Sequence, residues 1–181
     1  MLNNFIHMKY TVITKEDIKE NNLFKKLDSF LHKYLKNADT YIFDIHNTIE
    51  YGENNMDTAI LNFINNYHDK MNIILLSYDG NDARIISNND KLDNYSDVFK
   101  QTPKIFIKKR KKHYIIGTIA SLLIEKFGSC KSISFFDDNY LNIIDAKKLR
   151  NIPVLNIIHY TAHSTRKSDE SVDDITDLLP N

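Results

Sequence analysis

Residues 41–49 have the sequence YIFDIHNTI, and this segment carries the strongest structural signal in the chain. A short apolar run from Tyr41 to Phe43 ends at the carboxylate of Asp44, and polar, turn-forming residues follow at once. Such a run predicts a buried strand. Ligands of open α/β sheets bind beyond the carboxyl ends of the strands, so Asp44 is a candidate site residue. Because an Asp after a strand is also common as a turn or cap residue, this assignment depends on the rest of the chain.

Further apolar runs alternate with segments of helical periodicity. The runs predict strands at 10–13, 40–44, 72–77, 105–107, 132–136 and 153–158. The periodic segments predict helices at 15–36, 56–70, 81–88, 113–127 and 140–150. The polar segments 50–55 and 89–103 predict irregular structure. This alternation predicts an α/β fold, a Rossmann-like three-layer sandwich with a central, mainly parallel sheet and an N-terminal helical extension.

The predicted organisation is a single α/β core with an addition at each end. A length of 181 residues suits one domain with a sizeable core. Residues 1–37 form the N-terminal extension, whose amphipathic helix packs on the core or, as the alternative, docks on another subunit. Residues 38–160 form the core, and the polar, acidic residues 161–181 form a loose tail. The sequence leaves the oligomeric state open.

Composition and charge exclude several classes of protein. The chain is 42% hydrophobic and 27% charged with a net charge of zero, so bulk attraction to nucleic acid or membranes is not expected. No apolar run approaches the roughly 18 residues of a membrane span, and the start, Met1 to Met8, lacks the pattern of a signal peptide. The single cysteine, Cys130, excludes an intrachain disulfide and indicates a reducing, intracellular compartment, cytoplasmic or alternatively nuclear.

Three predicted strands end in residues suited to phosphoryl chemistry, namely Asp44, Ser77 and the pair Asp137-Asp138. In a parallel sheet these ends lie on one edge, where clustered carboxylates repel one another unless a cation such as Mg²⁺ lies between them. A serine hydroxyl can donate to a phosphoryl oxygen. A lysine from the basic cluster 108–112, at the start of the next predicted helix, can neutralise charge. These residue types fit phosphoryl transfer through a nucleophilic carboxylate.

The order of these residues resembles that of the haloacid dehalogenase (HAD) superfamily of phosphohydrolases. The family begins with Asp-x-Asp-x-Thr after a strand, and residues 44–48 read DIHNT. Its second motif is a Ser or Thr that closes a strand, matched by Ser77. Its third is a Lys at a helix start, matched by Lys112 or, second, Lys111. Its fourth is an acidic pair after a strand, matched within FFDDN at 135–139. The resemblance spans about residues 40–158 and implies a capless, phosphatase-like member.

The resemblance implies a role for each matched residue. Asp44 would attack the phosphorus and form an aspartyl-phosphate. The carboxylates of Asp44 and Asp137 and the backbone carbonyl of His46 would hold Mg²⁺, and Asp138 would bind the ion through water or orient a ligand. The matched serine and lysine would hold the phosphate.

One position departs from the family pattern. His46 stands where the family has the Asp that protonates the leaving group and then activates water. An imidazole can give and accept protons near neutral pH, so the expectation is a phosphohydrolase with a histidine acid/base. The alternative is a catalytically degenerate HAD-like domain that serves as a binding or scaffold module. Asn47 replaces the usual Gly and tolerates the left-handed backbone of a tight loop.

The spacing of the motifs leaves no room for a full cap domain. Only the predicted helices and short loops separate the second motif from its neighbours, so the site is expected to be open. Capless members of the family often act on macromolecules, which implies a phosphorylated, and in one interpretation macromolecular, substrate. The cluster Lys108–Lys112 is a solvated basic loop in the plainest interpretation. Contact with nucleic-acid phosphates and a nuclear-localisation signal are the alternatives.

Other candidates carry less weight. His159, His163 and Ser164 lack an acidic partner at a suitable spacing and are interpreted as loop residues. Cys130 is interpreted as a structural thiol. The aromatic residues beside the acidic pair, Phe136 and Tyr140, are expected to pack rather than stack on a substrate.

Overall fold

A computed structural model describes residues 10–52 and 55–162. The strands are β1 (Tyr10–Ile13), β2 (Thr40–Phe43), β3 (Glu50–Tyr51), β4 (Asn55–Met56), β5 (Asn72–Tyr78), β6 (Lys104–Ile107), β7 (Ser132–Asp137) and β8 (Val154–His159). The helices are α1 (Lys15–Lys19), α2 (Leu23–Leu31), α3 (Thr58–Tyr67), α4 (Asp82–Tyr95), α5 (Asp97–Gln101), α6 (Lys112–Phe127) and α7 (Tyr140–Ala146).

A six-stranded parallel sheet forms the centre of the molecule, in the order β1-β6-β5-β2-β7-β8. The chain runs outward from β2 to β5 and β6, then returns to the other side of β2 to form β7 and β8. The direction of winding therefore reverses at β2, and the carboxyl end of β2 is the topological switch point where α/β folds bind ligands. The predicted Rossmann-like sandwich is confirmed.

Helices cover both faces of the sheet. Helices α2, α6 and α7 pack on one face, against side chains that include Ile42 of β2 and Phe135 of β7. Helices α3, α4 and α5 pack on the other face, against Phe43 and Phe136 of the same two strands. Successive residues of a strand point to opposite faces, and both faces are covered here. Strand β2 is therefore buried throughout, which explains its continuous apolar sequence.

The N-terminal segment differs from the prediction in two respects. The predicted helix at 15–36 is two helices, because Asn21 has φ +56° and interrupts it between α1 and α2. Asn is one of the few residues that adopt this left-handed conformation readily. Strand β1 also joins the main sheet as an edge strand, parallel to β6. The segment therefore contributes a strand to the sheet as well as the helix α2, whose leucines 23, 27 and 31 are buried.

The prediction of irregular structure at 89–103 was wrong. Helix α4 continues to Tyr95, and α5 follows directly. The side chain of Asn81 caps α4 by accepting from two backbone amides. Ile85 and Leu92 of this mostly polar helix are buried in the core. The side chain of Ser96 caps α5 in turn. The segment is polar because most of its surface faces solvent, and the two apolar residues of α4 that pack into the core lie on the same face of the helix.

Smaller differences concern loops and boundaries. The predicted loop at 50–55 includes the antiparallel pair β3–β4, and α7 ends at Ala146 instead of continuing to 150. Of the predicted tail at 161–181, residues 163–181, with His163 and Ser164, lie outside the described residues. Over residues 10–52 and 55–162, every helix is too short or too polar to traverse a lipid bilayer.

Candidate functional site

A buried cluster of two carboxylates and one ammonium lies at the carboxyl end of β2. Nζ of Lys112 contacts Oδ1 of Asp44 and lies 2.7 Å from Oδ2 of Asp137. All three side chains are almost inaccessible to solvent. Asp44 and Asp137 are distant in the sequence, and the parallel pairing of β2 with β7 brings them together.

Each member of the cluster is positioned by its secondary structure. The amide of Asp44 donates to the carbonyl of Phe136 at 2.8 Å, which continues the β2–β7 ladder by one residue. Lys112 is the first residue of α6, and its side chain contacts both carboxylates from the N-terminal turn of that helix. Asp137 accepts from the amide of Asn139 at 2.8 Å and from the side chain of Asn142 at 3.0 Å. These bonds hold Asp137 at the mouth of the β7–α7 turn.

The charges of the cluster are unbalanced. Burial raises the pKa of Asp44 to about 7; the Lys112 ammonium opposes this increase, and the Asp137 and Asp138 carboxylates add to it. Burial alone would lower the pKa of Lys112, but the two carboxylates outweigh that effect and raise the pKa above its usual value. One ammonium therefore does not compensate the carboxylates around it. A cation bound beside Asp44 would lower the electrostatic cost of its ionised form.

The donor set fits a hard divalent cation. Asp44, Asp137 and Asp138 each offer a carboxylate oxygen, and the three oxygens lie within 4.8 Å of one another. With Lys112, the three ionised carboxylates carry a formal charge of minus two, which one divalent ion balances. Mg²⁺ prefers oxygen ligands of this kind.

The loop after β2 is tied to the loop after β7. Asn47 has φ +56°, the left-handed conformation expected from its sequence position. The buried hydroxyl of Thr48 accepts from the amide of Asp138 at 3.1 Å. The carbonyl of Asn47 accepts from Ala162 beyond β8. The loop that carries His46 is thereby tied to the segments that follow β7 and β8.

Ser77 supplies a buried hydroxyl with no partner among the described residues. Its Oγ is inaccessible and makes no hydrogen bond there. Ser77 is among the residues that line a cleft of about 200 Å³, together with Asp44, His46, Tyr78, Arg110 and Lys112. A buried hydroxyl without a partner is costly, so Ser77 is the kind of group that a ligand oxygen would satisfy.

His46 lies on the wall of the cleft with both ring nitrogens next to neighbouring side chains. Nδ2 of Asn88 lies 3.2 Å from Nε2 and also donates to Oδ2 of Asp79 at 3.1 Å. A carboxylate only accepts, so Asp79 identifies this end of Asn88 as the amide donor. Nε2 of His46 is then the acceptor and the proton is on Nδ1, which lies 3.8 Å from Oε2 of Glu50.

The basic cluster divides between different partners. Lys108 pairs with Asp82 at 2.7 Å, and the ammonium of Lys111 lies over the ring of Tyr114. Lys112 enters the buried cluster. Of the five residues 108–112, Arg110 and Lys112 line the cleft, and Lys111 does not.

Sequence reasoning missed the contributions of Arg110, Asn88, Glu50 and Asn142 to this site. Arg110 was visible only as one member of a basic run, and nothing in the sequence separated it from its neighbours. The two asparagines and Glu50 reach the site through helix α4, helix α7 and the β3–β4 hairpin, whose positions depend on tertiary packing.

Comparison with known proteins finds no match to a family model, to a curated protein or to a solved structure.

Proposed function

We propose that the chain is a Mg²⁺-dependent phosphohydrolase of the HAD type that acts through an aspartyl-phosphate on Asp44. The observation that carries this proposal is the Lys112 ammonium between Asp44 and Asp137, in a cleft also lined by Ser77, whose hydroxyl has no partner among the described residues. Asp44 provides a carboxylate nucleophile, and the Lys112 ammonium is the cation beside it. The hydroxyl and the ammonium suit a bound phosphoryl group.

Asp44 is the nucleophile in this mechanism. A carboxylate oxygen of Asp44 attacks the phosphorus, the bond from phosphorus to the leaving oxygen breaks, and the His46 imidazolium protonates that oxygen. Water then attacks the phosphorus and gives its proton to His46. The bond between Asp44 and phosphorus breaks, which releases inorganic phosphate and the free carboxylate.

The remaining residues of the site bind the phosphoryl group and neutralise its negative charge. Ser77 donates to a phosphoryl oxygen, and Lys112 balances the negative charge on Asp44 and on the phosphoryl group. Asp44, Asp137 and Asp138 with the carbonyl of His46 would hold Mg²⁺, and the ion supplies Lewis-acid stabilisation of the phosphoryl oxygens when bound.

The open surroundings of the cleft favour a large phosphorylated substrate. Within the described residues, the β3–β4 hairpin and α3 are the only elements between β2 and β5, and α4 and α5 are the only ones between β5 and β6. Neither insertion is a cap domain. A phosphorylated macromolecule, with a nucleic-acid end as one form of it, therefore fits this proposal.

A second candidate function is a binding module that has lost turnover. The observation in its favour is the engagement of His46, whose Nε2 accepts from Asn88 and whose Nδ1 faces Glu50. The imidazole has to turn away from Asn88 before it can serve as acid and base. A domain that retained phosphate and cation binding but not this rotation would bind a phosphorylated partner without hydrolysing it.

Release of phosphate from phenyl phosphate separates the two candidates. We expect Mg²⁺-dependent release that is abolished by a chelator and falls at least roughly 10³-fold in Asp44→Asn. Asp90→Asn, an exposed change on α4, is the matched control and should leave the rate unchanged. Absence of release with folded, Mg²⁺-binding protein would favour the binding module.

Substitution of His46 tests the acid/base role directly. His46→Asp restores the family pattern and should increase turnover, most of all for alkyl phosphates, whose leaving oxygens need protonation. His46→Ala should lower turnover of alkyl phosphates by about 10²–10⁴-fold. Equal rates in the three proteins would remove His46 from the mechanism.

A further inference from the structure

The mouth of the cleft holds an arginine that the proposed mechanism does not use. Arg110 lies in the loop between β6 and α6, and its guanidinium carbon is 5.2 Å from the ring centroid of Tyr78. Tyr78 is the last residue of β5 and follows the serine proposed to hold phosphate. Both side chains line the same cleft as Asp44 and Lys112.

Arg110 is available for an anion. It is exposed, and among residues 10–52 and 55–162 no carboxylate forms an ion pair with it. Its neighbours are engaged elsewhere, since Lys108 pairs with Asp82 and Lys112 with the buried carboxylates. The contact with the Tyr78 ring orients the guanidinium, and its five N–H donors have no hydrogen-bond acceptor among the described residues.

We propose that Arg110, oriented by the Tyr78 ring, binds a second oxyanion of the substrate. This inference rests on the proposed function and adds to it the class of substrate: a phosphomonoester whose leaving group carries another anionic group. A planar guanidinium binds a phosphate or a carboxylate through two parallel hydrogen bonds. An exposed, pre-oriented arginine beside the reacting phosphoryl group makes this second contact without rearrangement of the buried cluster.

The test compares three small phosphate esters that differ in the second group. Propane-1,3-diol bisphosphate carries a phosphate, 3-phosphooxypropanoate carries a carboxylate, and propyl phosphate carries neither. We expect kcat/KM to be higher for one or both probes that carry a second anionic group than for propyl phosphate, and the better of them identifies the second anion. In Arg110→Gln this preference should fall about 10- to 100-fold, through KM more than kcat.

Two further variants make the test specific. Arg150→Gln removes an exposed arginine charge ahead of the edge strand β8, away from the cleft, and should leave the preference unchanged. Tyr78→Phe keeps an aromatic face under Arg110 and should retain the preference, whereas Tyr78→Leu should reduce it. An unchanged preference in Arg110→Gln would overturn the proposal.

The inference and the proposed function fail in different ways. If no probe is hydrolysed, the proposed function fails, and calorimetric titration with the bisphosphate still tests the arginine. Weaker binding of the bisphosphate to Arg110→Gln than to the wild-type chain would support the second-anion site, and equal binding would overturn it. If all probes are hydrolysed at equal rates, the proposed function stands and the inference fails.

Discussion

Nζ of Lys112 lies 2.7 Å from Oδ2 of Asp137, and neither side chain exposes more than 3% of its surface. Such a contact is costly to break from one side, because it leaves an uncompensated charge in a dry environment. Lys112 also contacts Asp44, so one ammonium serves two carboxylates. The stability of the carboxyl end of the sheet and the proposed chemistry of the site there therefore depend on the same residue, Lys112.

Replacement of Lys112 should expose this dependence. We expect Lys112→Met to lower the free energy of unfolding by about 3–5 kcal/mol, since Asp44 and Asp137 lose their counter-ion. Added Mg²⁺ should recover part of the loss, because a divalent cation balances the same carboxylates. Urea unfolding with and without Mg²⁺ measures both effects. Lys131→Met, an exposed control ahead of β7, should change little; an equal loss in both variants would contradict the prediction.

The orientation of His46 provides a spectroscopic prediction. Asn88 donates to Nε2, and the hydrogen bond at one ring nitrogen determines which nitrogen carries the proton. The neutral imidazole should therefore be the Nδ1–H tautomer, visible in long-range ¹H–¹⁵N correlation spectra. Asn88→Ala should introduce the Nε2–H tautomer, and the exposed Asn94→Ala should not. An Nε2–H signal in the wild-type protein would show that Asn88 does not hold the ring.

The first turn of α1 should make stability depend on pH. Partial burial acts to raise the pKa of Asp17, but hydrogen bonds from Lys26 and Thr14 outweigh it and hold the pKa below the ordinary value of 3.8. Because the folded pKa is the lower one, ionised Asp17 stabilises the fold above pH 3.8, and this contribution is lost as pH falls through the folded pKa. The destabilisation caused by Asp17→Asn should therefore shrink in acid. Unfolding curves at several pH values measure this difference, and a constant difference would contradict the assignment.

Two glycines on α6 should respond to alanine in opposite directions. Gly128 ends the helix with φ +78°, and an added Cβ would meet nothing within 4 Å. Gly128→Ala should therefore cost about 1 kcal/mol through backbone strain alone. Gly117 lies inside α6, where a Cβ would make an ordinary 3.4 Å contact with Leu149, so Gly117→Ala should stabilise by up to about 1 kcal/mol. Thermal or urea unfolding of the two variants checks the signs, and a shared sign would contradict the backbone argument.

Particular elements show where sequence reasoning succeeds and where it stops. Strands such as β2 and β5 were predictable because burial on both faces requires continuous apolar runs. Helix α4 was predicted too short, since its buried face consists of few residues in a polar sequence. The single long helix at 15–36 was wrong because a local conformation at Asn21 outweighs the apolar periodicity around it.

By itself, the sequence determined the alternation of strands and helices and the residue types at the strand ends, because hydrophobic periodicity and turn chemistry are local properties. It also singled out Asp44, Ser77 and Asp137 as candidates for one sheet edge. Only the tertiary structure decided which cation of the run at 108–112 enters the buried cluster and which faces the cleft. That choice depends on contacts between residues far apart in the chain, namely those of Lys112 with Asp44 and Asp137 and that of Arg110 with the ring of Tyr78 on β5.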